Sequence, residues 1–451
     1  MTFRNKTFLP LVLTATIIFS GCSMQQTAGA ATTNAGTDNT ATESTATKST
    51  ATKSTAASYD SDALLAAYSS TDASSDASSD ASSDAFSDAF SDRDLSGEYD
   101  TGEAVSITLN GSSAQADSDA VKISGSSVTI TEAGTYILSG TLNGSIIVDA
   151  DTEDKIQLVL NGVTISSETF AAIYVAQADK VFITLADGSV NSLSNGGSFV
   201  QIDDNEVDAV VYSKDDITFN GTGSLQISSP AGHGIVGKDE VTITNGTFEI
   251  TAANHAIRAN DSLAIADGSL TLQAGADGLH AENSDDDTLG NVYIAGGKVT
   301  ITASDDAIHA NTLLQIDGGT FDITAAEGLE ATYILINNGK VNISASDDGI
   351  NAAYKSSAYT TPCVEINDGE LTIVMGSGDT DGVDSNGNIV INGGTVNVSG
   401  QSSFDYDGSA EYNGGTIIVN GQTLDSIPNQ MMGGMGMSPG RDNNMRRSVH
   451  P

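Results

Sequence analysis

The stretch that decides the fold is Ser-Asp-Asp-Ala-Ile-His-Ala at 304–310, because close variants of it recur along the chain. It returns as Ala-Glu-Gly-Leu-Glu-Ala at 326–331 and as Ser-Asp-Asp-Gly-Ile-Asn-Ala at 346–352. The central aliphatic residues of this series are Ile235, Ile257, Leu279, Ile308, Leu329 and Ile350. Neighbours in the series are 21 or 22 residues apart, except across the longer step from 279 to 308. Self-similarity at such a period indicates a solenoid.

A second repeat is in phase with the first. It consists of a glycine bend followed by alternating apolar and polar residues, as in Gly-Gly-Thr-Phe-Asp-Ile-Thr at 318–324. This alternation is typical of a half-buried strand. The Leu-x-x-Leu-x-Leu pattern of leucine-rich repeats is missing, and no stretch has a convincing helical period. We therefore predict an all-β fold, a parallel β-helix, with surface loops at 282–290 and 354–363 and irregular first coils from about 105 to 229.

The segments that flank the repeats have a different composition. Residues 1–22 are predicted to be a lipoprotein signal peptide, because a basic start and a short apolar run precede Phe19-Ser20-Gly21-Cys22, which resembles a lipobox with Cys22 as the lipidated residue. An ordinary cleaved signal with an incidental cysteine is the alternative. Residues 23–97 are low-complexity sequence and are predicted to form a disordered tether, and the Met/Gly-rich tail 428–451 is also predicted to be disordered. The domain is then 98–427.

Charge and cysteine content limit the possible functions. Acidic residues number 59 against 17 basic ones, for a formal net charge of -42, which argues against nucleic-acid binding. Apart from Cys22 the chain has only Cys363, so no intrachain disulfide framework is expected. We expect a monomer on the extracellular face of the cell membrane, attached to the membrane through its lipid anchor only.

Polar residues flank each central aliphatic residue at fixed positions. Column A, two positions before it, comprises His233, His255, Asp277, Asp306, Glu327, Asp348 and Asp381. Column B, the position just after it, comprises Val236, Arg258, His280, His309, Glu330, Asn351 and Asp384. In stacked coils these residues would be about 4.8 Å apart, where carboxylates repel one another. Calcium, with oxygen ligands at about 2.3–2.6 Å, would relieve that repulsion.

Calcium is therefore the predicted cofactor. The candidate ligands are Asp277, Asp305, Asp306, Glu327, Glu330, Asp347, Asp348, Asp379, Asp381 and Asp384. Hydrogen bonds from these aspartates to turn backbones are the alternative. The candidate carbohydrate-binding residues are the column residues His280, His309 and Asn351 and the loop tyrosines Tyr354 and Tyr359.

The motifs at 304–310 and 346–352, the recurring Gly-Gly-x-Val/Phe-x-Ile-Thr and Asp-Thr-Asp-Gly-Val-Asp-Ser-Asn-Gly at 379–387 resemble the clostridial-type carbohydrate-binding β-helix family of bacterial cell surfaces. The resemblance covers roughly 100–427. It implies a right-handed β-helix, bound calcium, binding of cellulose or acidic pectic chains, and a distant likeness to calcium-dependent pectate lyases. His233, His255 and Arg258 depart from the acidic pattern, which puts calcium in doubt in those coils.

Three functions follow from these observations. The first is calcium-dependent, non-catalytic binding of an extracellular polysaccharide. The second is a calcium-dependent polysaccharide lyase, in which Lys298, Lys340, Lys355 or Arg258 would be the base. The third is a surface adhesin, which needs the same exposed solenoid on a tether. The sequence favours the first function over the second, and it does not separate the first from the third.

Overall fold

The computed structural model describes residues 86, 89–377 and 380–430, and these residues form an all-β fold with one short helix, α1 (Asp92–Leu95). Thirty-eight strands, numbered in chain order, form a 13-stranded and a 25-stranded sheet. The first seven are β1 (Val105–Gly111), β2 (Ala114–Ala116), β3 (Val121–Ser124), β4 (Ser127–Ile130), β5 (Gly134–Leu142), β6 (Ser145–Asp149) and β7 (Lys155–Ser167). Within the described residues, no helix is long and apolar enough to cross a bilayer.

From residue 173 onward the chain repeats a unit of three strands, each belonging to one of three parallel ladders. Ladder 1 contains β8 (Ile173–Gln177), β11 (Ala209–Ser213), β14 (His233–Gly237), β17 (Ile257–Ala259), β20 (Leu279–Ala281), β23 (Asp306–Ala310), β26 (Glu327–Ala331), β29 (Ile350–Ala352), β32 (Asp381–Ser385) and β35 (Ser402–Tyr406). Ladder 2 contains β9 (Lys180–Leu185), β12 (Asp216–Gly221), β15 (Glu240–Ile243), β18 (Ser262–Ile265), β21 (Asn291–Ile294), β24 (Leu313–Ile316), β27 (Tyr333–Ile336), β30 (Cys363–Ile366), β33 (Asn388–Ile391) and β36 (Ala410–Tyr412). Ladder 3 contains β10 (Val190–Asn195), β13 (Ser224–Ser229), β16 (Thr247–Ala252), β19 (Ser269–Ala274), β22 (Lys298–Ala303), β25 (Thr320–Ala325), β28 (Lys340–Ala345), β31 (Glu370–Met375), β34 (Thr395–Ser399) and β37 (Thr416–Val419).

From β8 to β34, each of these strands pairs in parallel with the strand three positions further along the chain, which is the pairing expected of a β-helix. Antiparallel pairs occur at the two ends of the fold, where β1 pairs with β2, β3 with β4, and β37 with β38 (Gln422–Leu424). These end hairpins occupy strand edges that would otherwise be open for pairing with another chain. The irregular start is seen as hairpins and two long strands, β5 and β7, but it ends earlier than predicted, because the strands between 173 and 229 already pair in the regular ladders.

Residues that are one sequence period apart are paired with each other in ladder 1. Ile257 pairs with Leu279, Leu279 with Ile308, and Leu329 with Ile350, and all are fully buried. A fully buried aliphatic side chain contributes roughly 1.5–3 kcal/mol. The stacked aliphatic residues of successive repeats therefore form one continuous core, as the spacing predicted. Cys363 is a free buried thiol.

The glycine repeat makes a bend before each strand of ladder 3. Gly319 has φ +97°, and a Cβ there would lie 2.9 Å from the carbonyl oxygen of Gly297, the corresponding glycine one repeat earlier. Both the backbone conformation and the close approach of the two bends require glycine. This is why the glycines recur at the same period as the core residues.

The ordered fold begins before residue 98, the predicted boundary. In α1 the carboxylate of Asp94 is 3% exposed, receives hydrogen bonds from Ser91 and Thr218, and forms an ion pair with Lys180 at 2.8 Å. The last part of the predicted tether is therefore a segment packed on ladder 2, because its polar groups have buried partners there. At the other end, Gln430 bonds to the backbone of β35, beyond the predicted limit of 427. The predicted signal peptide with Cys22, most of the predicted tether and most of the predicted tail lie outside the described residues.

Candidate functional site

Column B is a continuous row of side chains along ladder 1. The strand register pairs Arg258 with His280, His280 with His309, His309 with Glu330, Glu330 with Asn351, and Asn351 with Asp384. It also adds Asp405, which pairs with Asp384. In β23, Ala307, Ile308 and Ala310 belong to the apolar core, whereas Asp306 and His309 do not. The two columns therefore lie side by side on the outer side of ladder 1.

Column A accepts backbone hydrogen bonds from one repeat to the next. His233 Nδ1 accepts from the N–H of His255 at 3.2 Å, and His255 Nδ1 from the N–H of Asp277 at 3.1 Å. Asp277 Oδ1 accepts from the N–H of Asp306 at 3.0 Å, and Asp348 Oδ1 from that of Asp381 at 2.9 Å. These four residues therefore each offer an acceptor to the next repeat, which is Nδ1 in His233 and His255. One oxygen of Asp277 and one oxygen of Asp348 thus accept a backbone hydrogen bond, and the second oxygen of Asp277 faces His280.

Four histidines form a stack that crosses from column A to column B. The ring centroids are 5.0 Å apart between His233 and His255, 4.2 Å between His255 and His280, and 4.7 Å between His280 and His309. The ring planes of neighbours lie within 20° of parallel. The stack fills the outer side of ladder 1 over four repeats, where acidic residues are found further along.

Carboxylates hold this stack in place. His280 Nδ1 lies 2.7 Å from Asp277 Oδ2, and His309 Nδ1 lies 2.9 Å from Asp306 Oδ2 and 2.8 Å from Glu330 Oε2. Burial lowers the pKa of His280. For His309 burial also opposes the charge, but the two carboxylates more than offset it and raise its pKa to about 10.

The same contacts set the charges of the carboxylates. Burial alone would raise the pKa of Asp277, but the imidazoles of His255 and His280 hold it below the usual range. Burial likewise acts on Glu330, yet hydrogen bonds from His309 and Lys355 lower its pKa to about 2. Lys355 Nζ is 2.7 Å from Glu330 Oε1. Burial and the neighbouring Glu330 raise the pKa of Asp306 to about 7, because a single imidazolium serves both carboxylates.

The far half of the columns is different, because carboxylates face one another there. Burial, followed by the charge of neighbouring carboxylates, raises the pKa values of Glu327, Asp348 and Asp384 to about 7 each. Asn351 Nδ2 donates to Glu327 Oε2 at 3.0 Å, which leaves Asn351 Oδ1 buried without a hydrogen-bond partner. Asp405 Oδ1 is likewise buried without a partner. We call Glu327, Asp348, Asn351, Asp381, Asp384 and Asp405 the acidic cluster.

Two insertions border the columns. The loop between β20 and β21 and the loop between β29 and β30 meet where Ser357 Oγ donates to Asp287 at 2.8 Å. Thr332 Oγ1 accepts the N–H groups of Lys355 and Ser356 at 3.0 and 2.8 Å. These contacts fix the start of the second loop and bring Lys355 to Glu330. The two loops predicted from gaps in the repeat are therefore confirmed, and they lie beside ladder 1.

The other predicted site residues do not lie together in the columns. Asp305 and Asp347 are exposed at the bends before their strands, and Asp379 lies outside the described residues. Tyr354 is 63% exposed, whereas the ring of Tyr359 lies 4.9 Å from that of Tyr333 and is partly buried. Asp405 was missed, although Phe404 continues the aliphatic series 21 residues after Val383 and could have revealed it. The role of Lys355 as the partner of Glu330 had no local sequence signal.

Three groups of ligand atoms lie within 4.8 Å of one another: His255, Asp277 and His280; Asp277, Asp306 and His309; and Asp306, Glu327 and Glu330. The first two fit a metal poorly. In the first group a metal would have to lie in the plane of both imidazoles, and parallel stacked rings share no such point. In the second group Asp277 Oδ2 already faces His280, and His309 Nδ1 already faces Glu330. His255 Nδ1 and Asp277 Oδ1 are also already used as backbone acceptors. The third group offers only carboxylate oxygens, which suits a hard cation. The acidic cluster shares Glu327 with this group and adds two oxygens that are buried without partners, but no three of its described carboxylates bring ligand atoms within 4.8 Å of one another.

Comparison with known proteins identifies the family. A model of the family described as carbohydrate-binding domain-containing protein matches residues 124–379 and 326–426. The chain belongs to this family. The family predicted from the repeat motifs is thus confirmed.

Two relatives of this family member show the extent of the likeness. A carbohydrate-binding domain-containing protein of Acetivibrio thermocellus is 39% identical over 137 residues, which is 30% of this chain and 48% of the relative. The chain therefore matches about half the length of that protein. The solved structure of a polysaccharide lyase-like protein from C. thermocellum, a gadolinium derivative, is 27% identical with a TM-score of 0.44, over 68% of this chain and 100% of that one.

Proposed function

We propose that this chain is a calcium-dependent, non-catalytic binder of extracellular polysaccharide, and that its ligand lies along columns A and B of a right-handed parallel β-helix. Membership of a carbohydrate-binding family supports the ligand class. The observation that carries the proposal is the acidic cluster, where three carboxyl groups have pKa values near 7 and two buried oxygens have no partner.

The calcium would be held by the acidic cluster rather than by the whole of the predicted column. Asp277, Asp306 and Glu330 are already paired with His280, His309 and Lys355, so a cation there would have to displace these partners. In the acidic cluster, Asn351 Oδ1 is buried on the strand that pairs with Asp384. Bound calcium would supply positive charge that keeps these carboxylates ionised and attracts anionic groups of a ligand.

An extended polymer suits a row of evenly spaced side chains, because each repeat presents the same kind of contact about 4.8 Å further on. Acidic pectic chains and cellulose are the two ligand types we propose. For a pectic chain the calcium would contribute much of the affinity, since the protein carries a formal net charge of -42 and would otherwise repel a polyanion.

The geometry does not favour a lyase that uses Lys355. The Lys355 ammonium is bonded to Glu330, and this pairing outweighs burial and raises the pKa of Lys355. A base must be unprotonated to abstract a proton, so this lysine is poorly suited to the task. An adhesin remains the second candidate, because the same columns would serve it. We further propose a monomer attached to the outer face of the cell membrane through lipidated Cys22.

Calorimetric titration with polygalacturonate and with soluble cello-oligosaccharides, in calcium and in EGTA, tests the proposal. We expect at least tenfold weaker binding of polygalacturonate in EGTA, equivalent to about 1.4 kcal/mol. Asp384→Asn should weaken binding in calcium, whereas Asp322→Asn, which removes an exposed carboxylate from ladder 3, should not. Equal affinity with and without calcium would refute the calcium dependence, and a glycan array that finds only host-type glycans would favour the adhesin.

A further inference from the structure

Arg258 occupies a place of its own in column B. It lies on β17 between Val236 and His280 in the register, so its side chain belongs to the same outward row as the histidines and the acidic cluster. Arg258 lies towards one end of column B, and Asp384 lies towards the other end. Counted along ladder 1, Arg258 and Asp384 are five strand spacings apart, or about 24 Å.

The guanidinium of Arg258 has no acidic partner. Within the described residues, no carboxylate forms an ion pair with it, and its Nε is buried without a hydrogen-bond partner. This is unusual in a chain with 59 acidic residues, where Lys180 pairs with Asp94 and Lys355 with Glu330. Asp208 interacts electrostatically with Arg258, but its carboxylate oxygen Oδ2 lies 3.4 Å from Nε2 of His233.

A buried donor without a partner costs about 1–3 kcal/mol. Nε itself is closed to solvent, but the side chain is only half-buried and its terminal nitrogens are not among the buried atoms, so a ligand can reach the end of the guanidinium. The planar fork of a guanidinium matches a carboxylate through two parallel hydrogen bonds. Arg258 also carries its charge at any pH at which the protein is folded. The missing partner is therefore best supplied by a carboxylate from outside the chain.

We infer that Arg258 is a calcium-independent subsite for a uronate carboxylate of an acidic polysaccharide. This inference rests on the proposed function, because it takes the ligand to lie along column B. One uronate would bind Arg258, another part of the same chain would reach the acidic cluster about 24 Å away, and the stacked imidazoles of His280 and His309 would lie between them. Arg258 would then make the protein select acidic over neutral polymers.

The test compares Arg258→Gln with Lys298→Gln, which removes the same charge from an exposed position on ladder 3. Affinity for polygalacturonate and for cello-oligosaccharides is measured by calorimetry in calcium and in EGTA. We expect Arg258→Gln to weaken polygalacturonate binding about tenfold, the value of one charge-assisted hydrogen bond, in both buffers. Binding of the neutral ligand, and both affinities of Lys298→Gln, should stay within twofold of wild type.

Arg258→Lys separates charge from geometry. It keeps the charge but loses the fork, so we expect an intermediate loss, and it remains informative if the glutamine variant does not fold. The inference would be overturned if Arg258→Gln bound polygalacturonate as tightly as wild type does, or if it lost as much affinity for the neutral ligand as for polygalacturonate. In either case, binding by the wild type would leave the proposed function intact. If the wild type binds neither polymer, the proposed function fails and the inference fails with it.

Discussion

Replacing Asp384 by Asn should change stability in opposite directions with and without calcium. In the metal-free protein Asp384 is surrounded by carboxylates, and burial together with Asp348, Asp381 and Asp405 raises its pKa to about 7. At pH 8 it is nonetheless ionised. A pKa of about 7, roughly three above the ordinary value for aspartate, means that the ionised Asp384 destabilises the folded state by at most about 4 kcal/mol. Partial exposure and screening reduce this cost to roughly 1–2 kcal/mol. Asp384→Asn should raise the free energy of unfolding in EGTA by that amount.

In calcium the same substitution removes a ligand. Calcium at a hundredfold excess over its dissociation constant stabilises the folded state by about 2.7 kcal/mol, and Asp384→Asn should lose most of this. The pH dependence follows from the same shift. Because the folded pKa is raised, the contribution of Asp384 is fully present below its unfolded pKa and is lost as pH rises through about 7. Metal-free wild type should therefore be more stable at pH 5 than at pH 8, and the variant less pH-dependent.

Urea denaturation of both proteins, in calcium and in EGTA at pH 5 and pH 8, measures these effects, with Asp322→Asn as the control on ladder 3. The reasoning fails if Asp384→Asn destabilises the protein equally in both buffers. That result would mean that the carboxylate has a structural hydrogen-bonding role and not the role of a crowded cation ligand.

Two further substitutions test the packing. Asp94→Asn breaks the buried ion pair with Lys180 and should cost about 3 kcal/mol in urea denaturation near neutral pH. Because hydrogen bonds from Lys180, Ser91 and Thr218 outweigh burial and lower the pKa of Asp94, its contribution is present above the unfolded pKa and is lost as pH falls through the folded pKa. The two proteins should therefore converge in acid, and a constant gap would contradict this. Gly319→Ala should cost roughly 2 kcal/mol, from its positive φ and the clash with the Gly297 carbonyl, and a neutral effect would show that the bend can shift.

Much of the fold could be predicted because the residues that form the core recur in the sequence at the period of the structural repeat. Ile257, Leu279 and Ile308 pair in the structure in the order that their spacing gave, and the glycine bends recur with them. The segment around α1 could not be predicted in this way. Its partners, Lys180, Thr218 and Thr244, lie on or directly after strands far along the chain, and a low-complexity sequence gives no sign of them.

The columns of the site were predictable for the same reason, but their charges were not. Spacing places His309 and Glu330 next to each other, yet it does not show that Lys355, from a loop, neutralises Glu330. Nor does it show that the backbone N–H of each repeat uses one oxygen of Asp277 or Asp348. The division of the columns into a histidine stack and an acidic cluster depends on contacts between repeats and loops, which only the structure gives.

Titration of calcium into the metal-free protein at pH 8 tests the central claim most directly. The acidic cluster predicts saturable binding of at least one ion, with an affinity that falls sharply in Asp384→Asn and Asp348→Asn and is unchanged in Asp322→Asn. A titration without saturable heat and without any shift of the thermal transition, or an isotherm that is the same in all four proteins, would contradict it.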